Sequence, residues 1–373
     1  MTNEPTTSAP GPSGAARSVS VVVPTYREAA NIPELLARLG RVRGEHHLDL
    51  EVLIMDDASN DGTEEAVAAL ALPWVRLVVR TGNRGLSPAV ADGFALAGGG
   101  TVVVMDADLS HPPEVIPAML DALDGGADFV IGSRYVSGGA TAEDWGFLRW
   151  INSRAATLLA RPFTTVRDPM SGFFAFRRAL LDNAAPLNPI GYKIGLEVLV
   201  KGRCKKAAEV PIFFSQRKHG ESKLSLREQL RYLRHLRRLA VFKYGHLAHF
   251  AQFSLVGFLG TLVNLAALTL LDGIGVPLKI SVAAAILIAM VFNFVLNRQV
   301  TFSDAPKGPF LRQLLGFCGA CAFGAVVNYG VTLGVIRLWP VLERAPQAAS
   351  ILGILSGLVF NYLASRFIVF RKK

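Results

Sequence analysis

TVVVMDADLSHPPE, residues 101–114, decides the fold. Thr101, Val102, Val103 and Val104 form the β-branched run of a buried strand. Asp106 and Asp108 follow at once, and Pro112 and Pro113 then open a helix. In an open parallel α/β sheet, ligands bind just beyond the carboxyl ends of the strands. Two carboxylates at such an end, with no cation close by in sequence to pair them, suit a divalent ion such as Mg2+ or Mn2+. These ions take hard oxygen ligands and share their shell with substrate phosphates. A lone D-x-D reads equally well as a turn and a helix cap, so its neighbours carry the decision.

Working outward, strand patterns recur at residues 18–23, 50–55, 75–79, 101–105 and 128–131, with helical stretches between them, at 29–39 and 63–70 among others. The alternation predicts βαβ units in a mostly parallel sheet covered on both faces. Each strand ends in polar residues. The first runs into Pro24-Thr25-Tyr26-Arg27-Glu28, the second into Asp56-Asp57-Ala58-Ser59-Asn60-Asp61-Gly62-Thr63, and the third into Arg80-Thr81-Gly82-Asn83-Arg84-Gly85. A strand-end carboxylate can accept the N–H groups of a nucleobase edge, and a tyrosine beside it can stack on the ring. A Gly-containing loop that opens a helix suits a phosphate. Carboxylates at three strand ends, the first, the second and the fourth, are more than caps require.

The bulk numbers set limits. The chain has 373 residues, a net charge of +10, and 51% hydrophobic residues. Residues 1–17 are rich in Thr, Ser, Pro and Gly with no apolar core, which predicts a disordered tail and not a signal peptide. Three cysteines are too few for a disulfide framework. Cys318 and Cys321 are spaced as C-x-x-C, but within an apolar run where small packing residues are expected.

The motifs PTYREAANI, MDDASNDGT, NRGLSPAVADG, MDADLSHPPE and IGSRY, in this order, resemble those of inverting family 2 glycosyltransferases with the glycosyltransferase A fold. Within that family the resemblance is to polyprenyl-phosphate hexose transferases of the dolichol-phosphate mannosyltransferase type. RWINS, DPMSGFFAFRR, GYKIGLEVL and QRKHGESKL extend it over residues 19–226. Two positions depart from the pattern. Arg27 stands where the family usually has Asn, and Ser110 stands where it has Gln.

The resemblance implies a ligand set. Donor-nucleotide contacts fall on Pro24, Tyr26, Glu28, Ile54, Asp56, Asp57, Asp106, Ala107, Asp108, Arg134, Lys193, Arg217 and Lys223. Metal ligation falls on Asp106, Asp108 and Ser110, the last weakened by its short hydroxyl. Catalysis falls on Asp108, Arg134, Arg149 and Ser153. The implied reaction is metal-dependent, inverting transfer of mannose from GDP-mannose to a polyprenyl phosphate, serving protein glycosylation. Rivals are a UDP-glucose-dependent undecaprenyl-phosphate glucosyltransferase and a non-catalytic membrane-anchored nucleotide-sugar sensor. A processive polysaccharide synthase would carry Q-x-x-R-W, and here Gly146 stands where that motif needs Gln before Arg149-Trp150.

Residues 225–242, SLREQLRYLRHLRRLAVF, place leucines on one helical face and Arg227, Arg231, Arg234 and Arg238 on another. A basic amphipathic helix just before a membrane segment is expected to lie in the headgroup layer. Four apolar spans follow, at about 250–271, 280–296, 314–338 and 348–370. Lys and Arg cluster before the first span, between the second and third, and after the fourth. The positive-inside rule then puts both termini and the enzyme in the cytosol. The spans repeat: Phe292-Asn293-Phe294 with Arg298 and Phe302 parallels Phe360-Asn361-Tyr362 with Arg366 and Phe370, and Asn264 parallels Asn328. This resembles GtrA-like membrane domains, with two helix pairs in the same orientation.

The expected organisation is therefore a tail (1–17), an α/β glycosyltransferase A (Rossmann-like) domain (18–224), an amphipathic interface helix (225–245) and an all-α four-helix transmembrane domain (246–373). Expected partners are the sugar nucleotide, a polyprenyl phosphate and the bilayer, with no nucleic acid. Homo-oligomerisation is left open.

Overall fold

The structure, a computed structural model, describes residues 16–141, 147–188, 190–215, 226–344 and 346–371. The chain divides into two compact units, Met1–Lys243 and Tyr244–Lys373.

In the first unit the strands are β1 (Ser18–Thr25), β2 (Asp49–Asp56), β3 (Val75–Val79), β4 (Thr101–Val104), β5 (Phe129–Ser133), β6 (Ala140–Thr141), β7 (Phe174–Arg177), β8 (Ala207–Pro211) and β9 (Phe213–Phe214). Seven of them form one sheet in the order β3-β2-β1-β4-β7-β5-β8, and β6 pairs with β9 alone. The five expected strands are present. The sheet goes beyond the expectation at β7, which runs antiparallel to both β4 and β5, and at β8, parallel to β5.

The helices of this unit are α1 (Ile32–Glu45), α2 (Thr63–Leu70), α3 (Leu86–Leu96), α4 (Ile116–Asp124), α5 (Phe147–Ala160), α6 (Ala179–Asp182), α7 (Ile194–Lys201) and α8 (Leu226–Tyr244). Helix α1 begins three residues later than the 29–39 pattern suggested, because Pro33 favours the first turn and Asn31 sits at the cap. Alternation along β1 feeds two cores. Val21 and Val23 pack with Leu35, Leu36 and Leu39 of α1 and Met119 and Leu120 of α4. Val22 faces the other side, with Val90 and Phe94 of α3 and Leu196 and Leu199 of α7. Helix α8 joins that second core through Leu236 and Leu239, and the Tyr232 hydroxyl donates to the Ala156 carbonyl at 2.7 Å. Leu230, Leu233 and Phe242 of the same helix stay exposed.

The second unit is α9 (His246–Gly273), α10 (Leu278–Leu296), α11 (Phe310–Leu338) and α12 (Pro346–Ala364). Among the described residues the unit has four helices long and apolar enough to cross a membrane, a four-span transmembrane domain. Both α10 and α12 run on into a π-helical turn, Asn297–Thr301 and Ser365–Val369. The repeat read from the sequence is structural. A Cβ on Gly260 of α9 would overlap the Asn293 carboxamide of α10, and one on Gly324 of α11 would overlap that of Asn361 on α12. The two π-turns meet at an aromatic cluster in which Phe302 stacks on Phe370 at 4.9 Å and Phe294 and Phe317 are buried beside them.

Candidate active site

The sheet brings the site to one edge. β1, β2, β4 and β5 all run the same way, so Tyr26, Asp56, Asp106 and Arg134 emerge from the same ends. Because β7 runs backwards, the loop before it, Asp168 to Phe173, is delivered to that edge as well. The backbone there is repeatedly forced into the left-handed region at residues other than glycine. Arg27 (φ 61°), Ala58 (φ 50°), Asn60 (φ 49°), Asn83 (φ 45°) and Leu109 (φ 63°) all follow strand ends. Such strain gathers where loops are held for function. It also gives the Arg27 departure a physical meaning, since asparagine tolerates this conformation better than arginine does.

The loop after β4 is tightly built. Asp108 is almost fully buried and accepts from the backbone N–H of Ser110 at 3.1 Å and from its hydroxyl at 2.5 Å. Ser110 is itself fully buried, so its hydroxyl is placed to hold the Asp108 carboxylate. Asp106 is half-buried, and its backbone N–H donates to Nδ1 of His111 at 3.0 Å. Burial pushes the His111 pKa down, against the pull of Asp106 and Asp108. The ring is therefore neutral, with its proton on Nε2, stacked on Phe173 at 5.3 Å. A side chain at Gly172 would press on His111 and on both Asp106 oxygens, at 3.3–3.5 Å.

Phe214 links this loop to the cationic side of the site. Its ring lies 5.6 Å from His111 and 5.3 Å from the Arg134 guanidinium. Arg134 donates from Nε and Nη2 to the two Asp168 oxygens, each at 2.7 Å, and its backbone N–H reaches Asp168 at 3.1 Å. Burial works against the Arg134 charge, and the Asp168 bonds more than offset it. Asp168 is set in turn by Glu209 of β8, whose carboxylate accepts the backbone N–H groups of Arg167 and Asp168 at 2.8 and 3.0 Å. Lys193, just before α7, donates to the Met170 carbonyl at 2.8 Å. Burial, and next the neighbouring Arg134, push its pKa down to about 8. Ser153 on α5 shares a 2.9 Å hydrogen bond with the Tyr135 hydroxyl, one residue beyond Arg134.

Asp106, Asp108, Ser110, Arg134 and Lys193 are thus gathered in one place, with Ser153 attached through Tyr135. The carboxylates after β2 are used differently. Asp56 accepts the backbone N–H of Ser59 at 2.8 Å. Asp57 pairs with buried Arg80 and accepts the Gly85 N–H at 2.6 Å, so it anchors the Arg80–Gly85 loop. Asp61 accepts from Thr63 and from the Ala29 N–H. Glu28 accepts from Asn31 at 2.6 Å. Tyr26 is exposed with the Arg27 guanidinium 5.3 Å from its ring. Pro24, Ile54 and Ala107 are buried, so they can meet a ligand only through their backbone. Arg217 and Lys223 lie outside the described residues, as does the side chain of Arg149.

Sequence reading missed His111, Tyr135, Asp168 and Glu209. The first three lie inside the quoted motifs, which was the available signal. Glu209 carries none.

The donor set fits a divalent cation of the Mg2+ or Mn2+ kind. Asp106 and Asp108 offer hard carboxylate oxygens, and Gly172 keeps bulk away from Asp106. Among the described residues no group of three or more His, Cys, Asp or Glu side chains is placed to hold a metal ion together. Water and substrate phosphate would complete the shell of such an ion.

Residues 20–184 match the model of glycosyl transferase family 2, and residues 252–370 match that of the GtrA/DPMS transmembrane domain. The chain is 39% identical over 355 residues to the dolichol-phosphate mannosyltransferase of Pyrococcus furiosus, covering 93% of this chain and 98% of that protein. It is 44% identical over 224 residues to the dolichol-phosphate mannosyltransferase of Saccharomyces cerevisiae, covering 57% of this chain and 84% of that one. Among solved structures, glucosyl-3-phosphoglycerate synthase from Mycobacterium tuberculosis, in complex with Mn2+, UDP and glucosyl-3-phosphoglycerate, matches at 24% identity. That match has a TM-score of 0.47 and covers 64% of this chain and 87% of that one.

Proposed function

The chain belongs to the family 2 glycosyltransferases homologous to dolichol-phosphate mannosyltransferases, fused to a GtrA-like membrane domain, and we propose that it makes a polyprenyl-phosphate β-mannose from GDP-mannose. It is a sugar-nucleotide-dependent glycosyltransferase acting on a lipid-phosphate type of acceptor. Mannose, guanosine and inversion are the proposed refinements. The observation that carries them is the near-complete coverage of the Pyrococcus relative, through both the catalytic and the membrane part.

The site supports the chemistry. A phosphomonoester acceptor is already anionic near neutral pH, so its oxygen attacks without a general base. The protein's work is to align two charged partners and to balance charge. Asp106 and Asp108 would hold the divalent ion, which supplies positive charge for the departing nucleoside diphosphate. Arg134 is locked by Asp168 in one orientation, so its forked donors are aimed in advance. Lys193 adds a cation beside it. Ser153, set by Tyr135, and Arg149 on the same helix are assigned to the acceptor phosphate. Leu158 and Leu159 of α5 and Leu230 and Leu233 of α8 are exposed apolar residues of the catalytic unit, suited to contact with the lipid surface on the cytosolic side.

Incubating membranes that contain the protein with radiolabelled GDP-mannose, UDP-glucose or UDP-galactose tests this reading. The expected result is label in the polyprenyl-phosphate lipid from GDP-mannose alone, with a β-linkage by NMR. Labelling from UDP-glucose instead would replace the donor assignment.

A further inference from the structure

The membrane unit contains polar groups that transfer chemistry in the catalytic unit does not use. Arg298 and Arg366 occupy equivalent places, five residues after Asn293 and Asn361, each inside a π-helical turn. The two turns lie at the same end of the unit, since Phe302 and Phe370 at their ends stack on each other. Arg298 is held at one corner: its Nη2 donates to the Gly308 carbonyl at 2.9 Å, and the Phe294 and Phe310 rings lie 6.0 and 5.3 Å from the guanidinium. In both arginines Nη1 is buried and has no hydrogen-bond partner.

The neighbouring polar groups do not satisfy them. The Asn293 and Asn361 carboxamides lie against Gly260 and Gly324. The hydroxyls of Thr301 and Ser365, on the same two turns and fully buried, also have no partner. Buried donors without acceptors are rare and costly, and each calls for a partner that completes it. Ionisable side chains inside membrane segments are retained for function, and they face protein or a polar path. π-turns recur at such sites.

We propose that Arg298 and Arg366 form two equivalent sites for the phosphate of an anionic lipid, one in each helix-pair repeat. A guanidinium whose Nη1 amino group has both N–H donors outstanding matches phosphate oxygens, and an adjacent hydroxyl can donate a further bond. At the end of a membrane helix the abundant phosphates are those of lipids. The same chemistry is offered by a phospholipid headgroup and by a polyprenyl phosphate. The sites are independent of the donor-binding cleft, and their test does not depend on transfer.

Native mass spectrometry of the full-length protein in mild detergent counts bound lipid directly. Phosphatidylglycerol and a short-chain polyprenyl phosphate are added separately, with diacylglycerol as a phosphate-free control. Relative to the parent, Arg298→Gln and Arg366→Gln should each lose one phosphate lipid, and the double variant two, with diacylglycerol retention unchanged. Loss with phosphatidylglycerol identifies a headgroup site, loss with polyprenyl phosphate identifies a site for the acceptor class, and either supports the proposal. A double variant that keeps the full count of both, or loses diacylglycerol equally, overturns it. Should the Gln variants fail to fold, Arg298→Lys and Arg366→Lys keep the charge and lose the fork. Their affinity for the responding lipid should drop about tenfold, and undiminished affinity would overturn the proposal.

Discussion

Asp168 grips Arg134 with both carboxylate oxygens, each contact 2.7 Å long, and neither side chain is more than 9% exposed. Removing one partner of such a buried pair strands the other charge, which typically costs about 3–5 kcal/mol. Asp168→Asn should therefore lower the melting temperature and reduce transfer together. The double variant Arg134→Gln/Asp168→Asn should recover stability, because it buries no unpaired charge, yet remain inactive. Recovery of transfer in the double variant would remove Arg134 from the reaction.

Asp108→Ala should abolish transfer while the protein still folds and inserts. Ser110→Ala is the finer test. If the Ser110 hydroxyl only holds Asp108, its loss removes one hydrogen bond worth about 1 kcal/mol, or on the order of fivefold in Mn2+ affinity. Manganese titration followed by transfer rate reads this. A hundredfold loss would make Ser110 a direct ligand.

Lys193, with its pKa pushed down to about 8 by burial and then by Arg134, should give opposite pH trends in binding and in stability. If the charged amine attracts the diphosphate, as proposed, GDP affinity should be full below about pH 8 and fall as pH rises through that value. The unfolded chain keeps this proton up to about pH 10.4. It then binds more protons than the folded chain between those values, and stability rises there. Lys193→Arg, always charged, should lose the inflection in a plot of GDP affinity against pH.

Gly260→Ala and Gly324→Ala should be matched lesions. In each, the new methyl would occupy the place of a facing Asn carboxamide, on Asn293 or Asn361. Overpacking of this kind typically costs about 1–3 kcal/mol. Thermal unfolding in detergent should show similar losses for the two. A loss confined to one would mean that the helix pairs are not mechanically equivalent.

Much of this was legible in the sequence. The run from Thr101 to Val104 with Asp106 and Asp108 behind it marked both the strand and the sheet edge where it ends. What remained hidden depends on partners distant along the chain. The pairing of Asp57 with Arg80, remote in sequence, is one such contact. Asp168 precedes a proline and reads as a turn. β7 is buried on both faces, so Phe174, Ala175 and Phe176 show no alternation to mark a strand. The leucines of α8 form one stripe by period. The structure divides it: Leu236 and Leu239 go to the enzyme core, and Leu230 and Leu233 remain exposed.

The backward strand β7 has a consequence for synthesis on the ribosome. It sits between β4 and β5, so both of those strands are made long before the segment that joins them. Until residues 174–177 emerge, the nascent chain carries one open edge on β4 and two on β5, the kind of surface that pairs with other chains. β8 and α8 complete the sheet and its second core just ahead of the first apolar span. Release of a chain ending at residue 172 should therefore yield aggregate, and release at residue 244 a soluble, nucleotide-binding unit. A soluble product from the shorter chain would show that β4 and β5 can wait unprotected.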